Sequence, residues 1–104
     1  MGSAANREAD VITYTASFRY LKKTVLARAL DFPGVVTEGN DLAHARDMLA
    51  DALVTMAESY VKDGSAFPIP NPKATDPDSD LEEPIFLLFN ASNAVKIVPQ
   101  EVLV

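Results

Sequence analysis

The sequence has no cysteine and no tryptophan, a single histidine and only four glycines. Without cysteine there are no disulfides, no thiolate catalysis and no thiolate metal centre, which fits a cytoplasmic protein. The one histidine, His44, has no other histidine or cysteine at ligand spacing, so the common zinc patterns are excluded. Nor does any serine occupy a nucleophile-elbow setting for it to activate. His44 is therefore read as a surface or partly buried side chain. Gly2, Gly34, Gly39 and Gly64 stand singly, and no phosphate-cradling loop can be built from them. No apolar run approaches the roughly 20 residues of a membrane span. The first ten residues lack the apolar core of a secretory leader and are read as a disordered start.

Positive charge is also scarce, with nine Lys and Arg against fifteen Asp and Glu and a formal net charge of −6. Such a chain repels nucleic-acid phosphates. The acidity is concentrated in a loop over 71–84, where Asp76, Asp78, Asp80, Glu82 and Glu83 face only Lys73. Acids at alternate positions from Asp76 suggest a calcium loop, but Leu81 takes the sixth place, where glycine is needed, and no glutamate stands at the twelfth. The segment is read as a mobile, solvated acidic loop. Arg19, Lys22, Lys23 and Arg28 cluster at a hairpin and are read as charges that blunt a sheet edge.

With 48% hydrophobic and 23% charged residues, the composition is that of one folded domain, 11–104. From Val11 the chain alternates, with Ile12, Tyr14, Ala16, Phe18 and Tyr20 on one side, predicting a half-buried strand. Lys22-Lys23 forms the hairpin tip, and Thr24 to Leu30 reads as a second strand with Val25, Ala27 and Ala29 on one face. Asp31-Phe32-Pro33-Gly34 is a turn, since Pro fixes one φ and Gly supplies the next. Val35 to Glu38 is a short third strand.

Asn40-Asp41 then caps a helix over Leu42 to Lys62. Leu42, Ala45, Met48, Leu49, Ala52, Leu53, Met56, Ala57, Tyr60 and Val61 form its apolar stripe, opposite Arg46, Asp47, Asp51, Glu58 and Lys62. Gly64 is the left-handed stop. Phe67 to Pro72 reads as an extended connector with Phe67 and Ile69 tucked inward. Ile85 to Phe89 is a central strand, followed by a turn over Asn90–Asn93 and a weaker apolar run, Val95 to Val98. The expected fold is α/β (α+β), in the order β-β-β-α-β. A right-handed return would lay the last strand parallel to the first, giving a mixed sheet with the helix on one face.

Phe32-Pro33-Gly34, Thr37-Glu38-Gly39-Asn40-Asp41, Ala45 and Ile69-Pro70 together resemble the HicB-like antitoxin family. Asp31, Pro33, Gly34, Gly39, Ala45, Ile69, Pro70 and Pro72 fall where that family's pattern wants them, with Phe32 and Asp41 inside the same stretches. The chain departs from the pattern at Leu30, Val35, Asn40 and Asp41, and at Ala43-His44, which replaces an acid pair. The resemblance implies a partial ribonuclease-H-like fold and a partner, a small basic HicA-like toxin ribonuclease whose catalytic histidine the domain covers. Asp76, Asp78, Asp80, Glu82 and Glu83 are the candidate partner-binding residues, steering toward a cationic surface. Members that repress their own operon carry a DNA-binding segment after the fourth strand. This chain stops at Val104, so direct DNA binding is not expected.

The implied fold also raises a nuclease, which would need carboxylates on the central strands to hold metal ions. Val11 to Tyr20 and Ile85 to Phe89 contain none. The expectation is a protein that is not an enzyme and has no cofactor, no metal and no catalytic residues. The alternative is an orphan homo-oligomeric binding module, in which sheet edges and the tail Val102-Leu103-Val104 pair between copies. A dimer or larger is expected under either reading.

Overall fold

The computed structural model describes residues 9–90 and 95–98. Strands β1 (Ala9–Tyr20), β2 (Val25–Ala29) and β3 (Val36–Gly39) precede helix α1 (Leu42–Asp63), and β4 (Leu81–Asn90) and β5 (Val95–Val98) follow it. They form one α+β unit, a five-stranded sheet in the order β3-β2-β1-β4-β5 with α1 packed on one face. Every strand pair is antiparallel.

The alternation along β1 holds from Ile12 to Phe18, while Tyr20, expected on the same side, is 52% exposed at the strand's end and Ser17, on the other side, is buried. Tyr14, Ala16 and Phe18 are buried toward the helix, joined by Val25, Ala27 and Ala29 of β2. From α1, Ala45, Leu49, Leu53 and Ala57 are fully buried, and Leu42, Ala52, Met56, Tyr60 and Val61 pack more loosely around them. Burial of each leucine side chain contributes roughly 1.5–3 kcal/mol. Both ends of α1 are capped. The Asp41 carboxylate accepts from the His44 backbone N–H at 2.8 Å. Gly64 adopts φ +70°, and its N–H and that of Ser65 close on Val61 and Tyr60 carbonyls.

The structure corrects four expectations. First, β4 runs antiparallel to β1, with Phe18 opposite Leu81 and Asp10 opposite Phe89, so the sheet is not mixed. The cause is the connector after α1. A short return would deliver the chain to the start of β1, but residues 65–80, with turns at 72–73 and 77–78, travel the length of the sheet first. Asp80 N–H then bonds the Phe18 carbonyl at 2.8 Å, and β4 has to run back. Second, β4 begins at Leu81, upstream of Pro84, and a fifth strand, β5, pairs with its outer edge. Third, Ala9 and Asp10 belong to β1 and not to a disordered start. Residues 1–8, most of the expected turn at Asn90–Asn93, and the tail Val102-Leu103-Val104 lie outside the described residues.

The fourth correction concerns Ile69, which is 89% exposed, while Phe67 and Pro70 are half-buried. A proline-rich segment turns every three residues and not every two, so Phe67 shares its side with Pro70 and Ile69 points away. Phe67 joins an aromatic cluster with Phe32, Tyr60 and Phe89 at centroid separations of 5.4 to 6.3 Å. Tyr14 and Tyr60 both meet the buried Phe32 edge-on.

Candidate partner-binding groove

The turn Asp31-Phe32-Pro33-Gly34 is held from several sides. Val35 N–H bonds the Phe32 carbonyl, and Gly34 takes φ +86°, which an L side chain adopts only under strain. A Cβ on Gly34 would also stand 3.2 Å from Met56 Cε. Asp31 is the clamp. One carboxylate oxygen accepts from Thr15 N–H and the other from Asn71 N–H, both at 2.9 Å. It thereby ties β1, the turn and the connector together. Beside it, Tyr14 donates its hydroxyl to the Pro68 carbonyl at 2.8 Å. Burial, with the Asp31 charge and Tyr60 adding to it, pushes the Tyr14 phenol up to about 12.

Gly39 is buried against the first turn of α1. A Cβ there would fall 2.4 Å from the Ala45 backbone nitrogen. The resemblance motif at Gly39, Asp41 and Ala45 is thus a packing device that lets β3 and α1 touch. His44 belongs to the same device. Its Nδ1 accepts from the Asn40 N–H at 2.9 Å, which places its ring proton on Nε2.

The acidic loop is not a mobile appendage. It is a strap laid over the sheet face opposite α1, and most of its acids are engaged inside the molecule. Asp76 pairs with Arg28 at 2.5 Å, and Ser79 meets Ser17, the one buried polar residue among those described. Glu82 accepts from Thr75 Oγ1 and Asp76 N–H. Asp80 accepts from Tyr20 N–H at 2.7 Å. Glu83 lies on the helix side and takes a two-pronged bond from Arg46, whose guanidinium also stacks over Phe18. Only Asp78 has a carboxylate with no such contact among the described residues. The Asp78 backbone N–H, then Arg28, hold Asp76 below the usual carboxylate range. The Asp76 backbone N–H, then Thr75 and Ser79, do the same for Glu82.

A different surface remains open. Between α1 and the edge strand β3 lies a groove of about 500 Å³, floored by Gly34, Met48, Ala52 and Met56 and rimmed by Asp51. Met48, expected within the buried stripe, is 37% exposed here. Along the outer side of α1, Asp47 and Glu58, outside the groove's lining, are exposed like Asp51. On β3, Thr37 lines the groove, and the outer backbone edge of that strand pairs with no other strand among the described residues. The groove was missed in the sequence because helical spacing assigns Met48 to the core. Its signal was present in the acids at offsets of four and eleven from Asp47.

Comparison of the chain with protein-family models, curated sequences and solved structures finds no match. Among the described residues, no group of three His, Cys, Asp or Glu could hold a metal ion. No helix among them is long and apolar enough to cross a membrane.

Proposed function

We propose that the chain is a HicB-like antitoxin domain that binds a small basic toxin ribonuclease and covers its active surface. The observation that carries this reading is the methionine-floored, acid-rimmed groove beside the unpaired edge of β3. It offers three things that suit a small cationic protein. Met48 and Met56 give an adaptable apolar floor. Asp47, Asp51 and Glu58 raise the rate of encounter with positive charge. The edge of β3 can accept a strand from the partner, giving main-chain hydrogen bonds without demanding a particular sequence.

The turn and cap residues that carry the family resemblance shape this groove, since Gly34 forms part of its floor and Gly39 sets β3 against α1. The reading does not depend on a ribonuclease-H-like sheet, whose parallel last strand this chain replaces with an antiparallel one. It moves the contact surface from the strap to the helix side, because the strap acids are already engaged.

The test, if the adjacent gene encodes a small basic protein, is a calorimetric titration against that product, with the wild type and with Met48→Glu and Asp51→Lys. Tight stoichiometric binding, protection of RNA from the partner, and weakening of at least about tenfold in each variant are expected. Equal binding by all three proteins would place the partner elsewhere. Absence of binding by the wild type would leave the homo-oligomeric module as the better reading.

A further inference from the structure

The main-chain groups of β3 divide between its two edges. Ala29 N–H bonds the Val35 carbonyl at 3.0 Å, and the register continues with Ala27 opposite Thr37 and Val25 opposite Gly39. Hydrogen-bonded pairs alternate along an antiparallel ladder, so Thr37 and Gly39, like the Val35 carbonyl, face β2. Val36 and Glu38 turn their N–H and C=O groups outward, on an edge that pairs with no other strand among the described residues. Side chains alternate across the same three residues. Thr37 lines the groove beside α1 with Met48, Asp51 and Met56. Val36, 56% exposed, stands on the other face, at a second hollow of about 320 Å³ shared with Arg28, Ala74 and Thr75. Glu38 is exposed on that face too, and its carboxylate accepts from the Thr24 hydroxyl at 3.3 Å, a long and weak bond.

A strand laid antiparallel on this edge meets a different environment at each of three consecutive residues. The residue opposite Glu38 has a carboxylate beside it, which favours a cation. The next, opposite Thr37, points to the helix side. Its stem can lie over Met48, Ala52 and Met56 and its end can reach Asp51, which suits the apolar stem and charged tip of lysine or arginine. The third, opposite Val36, gains from an apolar side chain. A cation gains nothing there, because the hollow has no acid in its lining among the described residues and its one charge is Arg28.

We infer that β3 is a receptor edge for a short extended segment that runs, from its N-terminus, cation, cation, apolar residue. The inference rests on the proposed function for the identity of the partner, a small basic protein, and names the part of it that docks. Main-chain bonds to Val36 and Glu38 hold the segment, and the two faces of the edge select its side chains. The selection has a direction. An antiparallel segment running apolar, cation, cation would bring its apolar end to Glu38 and a cation to Arg28. One such triplet is what the edge can hold, since β3 spans four residues and ends at Gly39, buried against α1.

Titration of the full chain with the blocked hexapeptide Thr-Thr-Lys-Lys-Val-Thr, followed by amide chemical shifts, tests the edge directly. Binding with a Kd of about 1 mM or tighter is expected, with the largest shifts at Val36, Thr37 and Glu38. N-methylation of the first lysine or of the valine removes an N–H aimed at β3 and should weaken binding at least about fivefold. N-methylation of the second lysine, whose N–H faces away, should change it by less than about twofold. Reversal of the triplet to Val-Lys-Lys should weaken binding several-fold, as should Glu38→Lys and Asp51→Lys in the protein. Val36→Pro removes one outward N–H and spares the ladder to β2. Circular dichroism verifies its fold, and the N-methylated peptides test the wild type independently of it. No shift at β3 up to several millimolar peptide, equal losses from all three N-methylations, or equal binding of the reversed triplet would overturn the inference. A basic protein partner that binds Val36→Pro as tightly as wild type would also overturn it, and would leave the proposed function standing. Peptide binding at β3 with no basic protein partner would support the receptor edge and overturn the proposed function instead.

Discussion

Asp31 offers the sharpest test of how this fold is held. Its carboxylate accepts two backbone N–H groups, from Thr15 and Asn71. The β1–β2 ladder ends at Ala16 and Ala29, so Thr15 N–H has no strand partner on that side and depends on the side chain. Hydrogen bonds to a charged acceptor contribute about 1.5–3 kcal/mol each. Asn71 is exposed, and its bond belongs at or below the low end of that range. Thr15 is half-buried and more costly to leave unpaired. Asp31→Ala should therefore destabilise by about 2–4 kcal/mol. Asp31→Asn keeps one oxygen but turns an amide donor toward the other N–H, and should fall between wild type and alanine.

Urea unfolding followed by circular dichroism measures both variants, with an unchanged m-value expected if the unfolded state is unaffected. Amide exchange at Thr15 and Asn71 should quicken in both variants before exchange in α1 does. A loss under about 0.5 kcal/mol for alanine, or equal losses for alanine and asparagine, would refute the clamp.

Other consequences are as direct. Gly39→Ala places a methyl 2.4 Å from the Ala45 backbone nitrogen and should cost at least about 2 kcal/mol. Gly64→Ala meets nothing within 4 Å but keeps φ +70°, and should cost only about 1 kcal/mol by thermal or urea unfolding. The Tyr14 phenol is raised from 10.0 to about 12 by folding. Below pH 10 both states hold that proton; between pH 10 and 12 the unfolded chain releases it first. Stability should then fall by roughly 2 kcal/mol across that window. Tyr14→Phe should flatten the alkaline decline while losing the bond to Pro68, and an unchanged alkaline profile would contradict it. Asp76 and Glu82 are held below the ordinary carboxylate range, so their contribution is full above the unfolded values of 3.8 and 4.5 and fades as pH falls through the lower folded ones. Limited proteolysis within 71–80 should speed up under those acidic conditions while α1 stays protected.

The local structure was legible because each element carries its own period and its own punctuation. Asp41 and Gly64 bound α1 as expected, and of the alternate residues that its pattern offers β1 buries Tyr14, Ala16 and Phe18 but not Tyr20. The direction of β4 was not legible in the same way. It depends on how far the connector travels before the next strand starts, and a proline-rich stretch states its stiffness but not its destination. Tyr14, Asp31, Arg28 and Phe18 set that destination one after another along the sheet, and each is remote in sequence from its partner. Proline spacing likewise concealed Ile69, because a three-residue turn exposes what strict alternation would bury. Met48 shows the opposite limit. Its spacing is that of a core residue, but β3 is only four residues long and does not cover that side of the helix.

The distribution of charge follows from the same connector. A net charge of −6, with five acids between Asp76 and Glu83, invites a reading in which that loop meets the partner. Laid across the sheet, the loop instead engages Asp76 with Arg28, Glu82 with Thr75 and the Asp76 backbone, Asp80 with the Tyr20 backbone, and Glu83 with Arg46. A carboxylate held in this way would have to surrender its internal partner before offering itself to another protein, and the gain from the new contact would be offset by the loss of the old one. Among the described residues Asp47, Asp51 and Glu58 have no such contact, and Asp51 lines the groove between α1 and β3. Under the proposed function, attraction of a basic protein falls to the outer side of α1, and the strap acts chiefly to fasten β4 to the sheet.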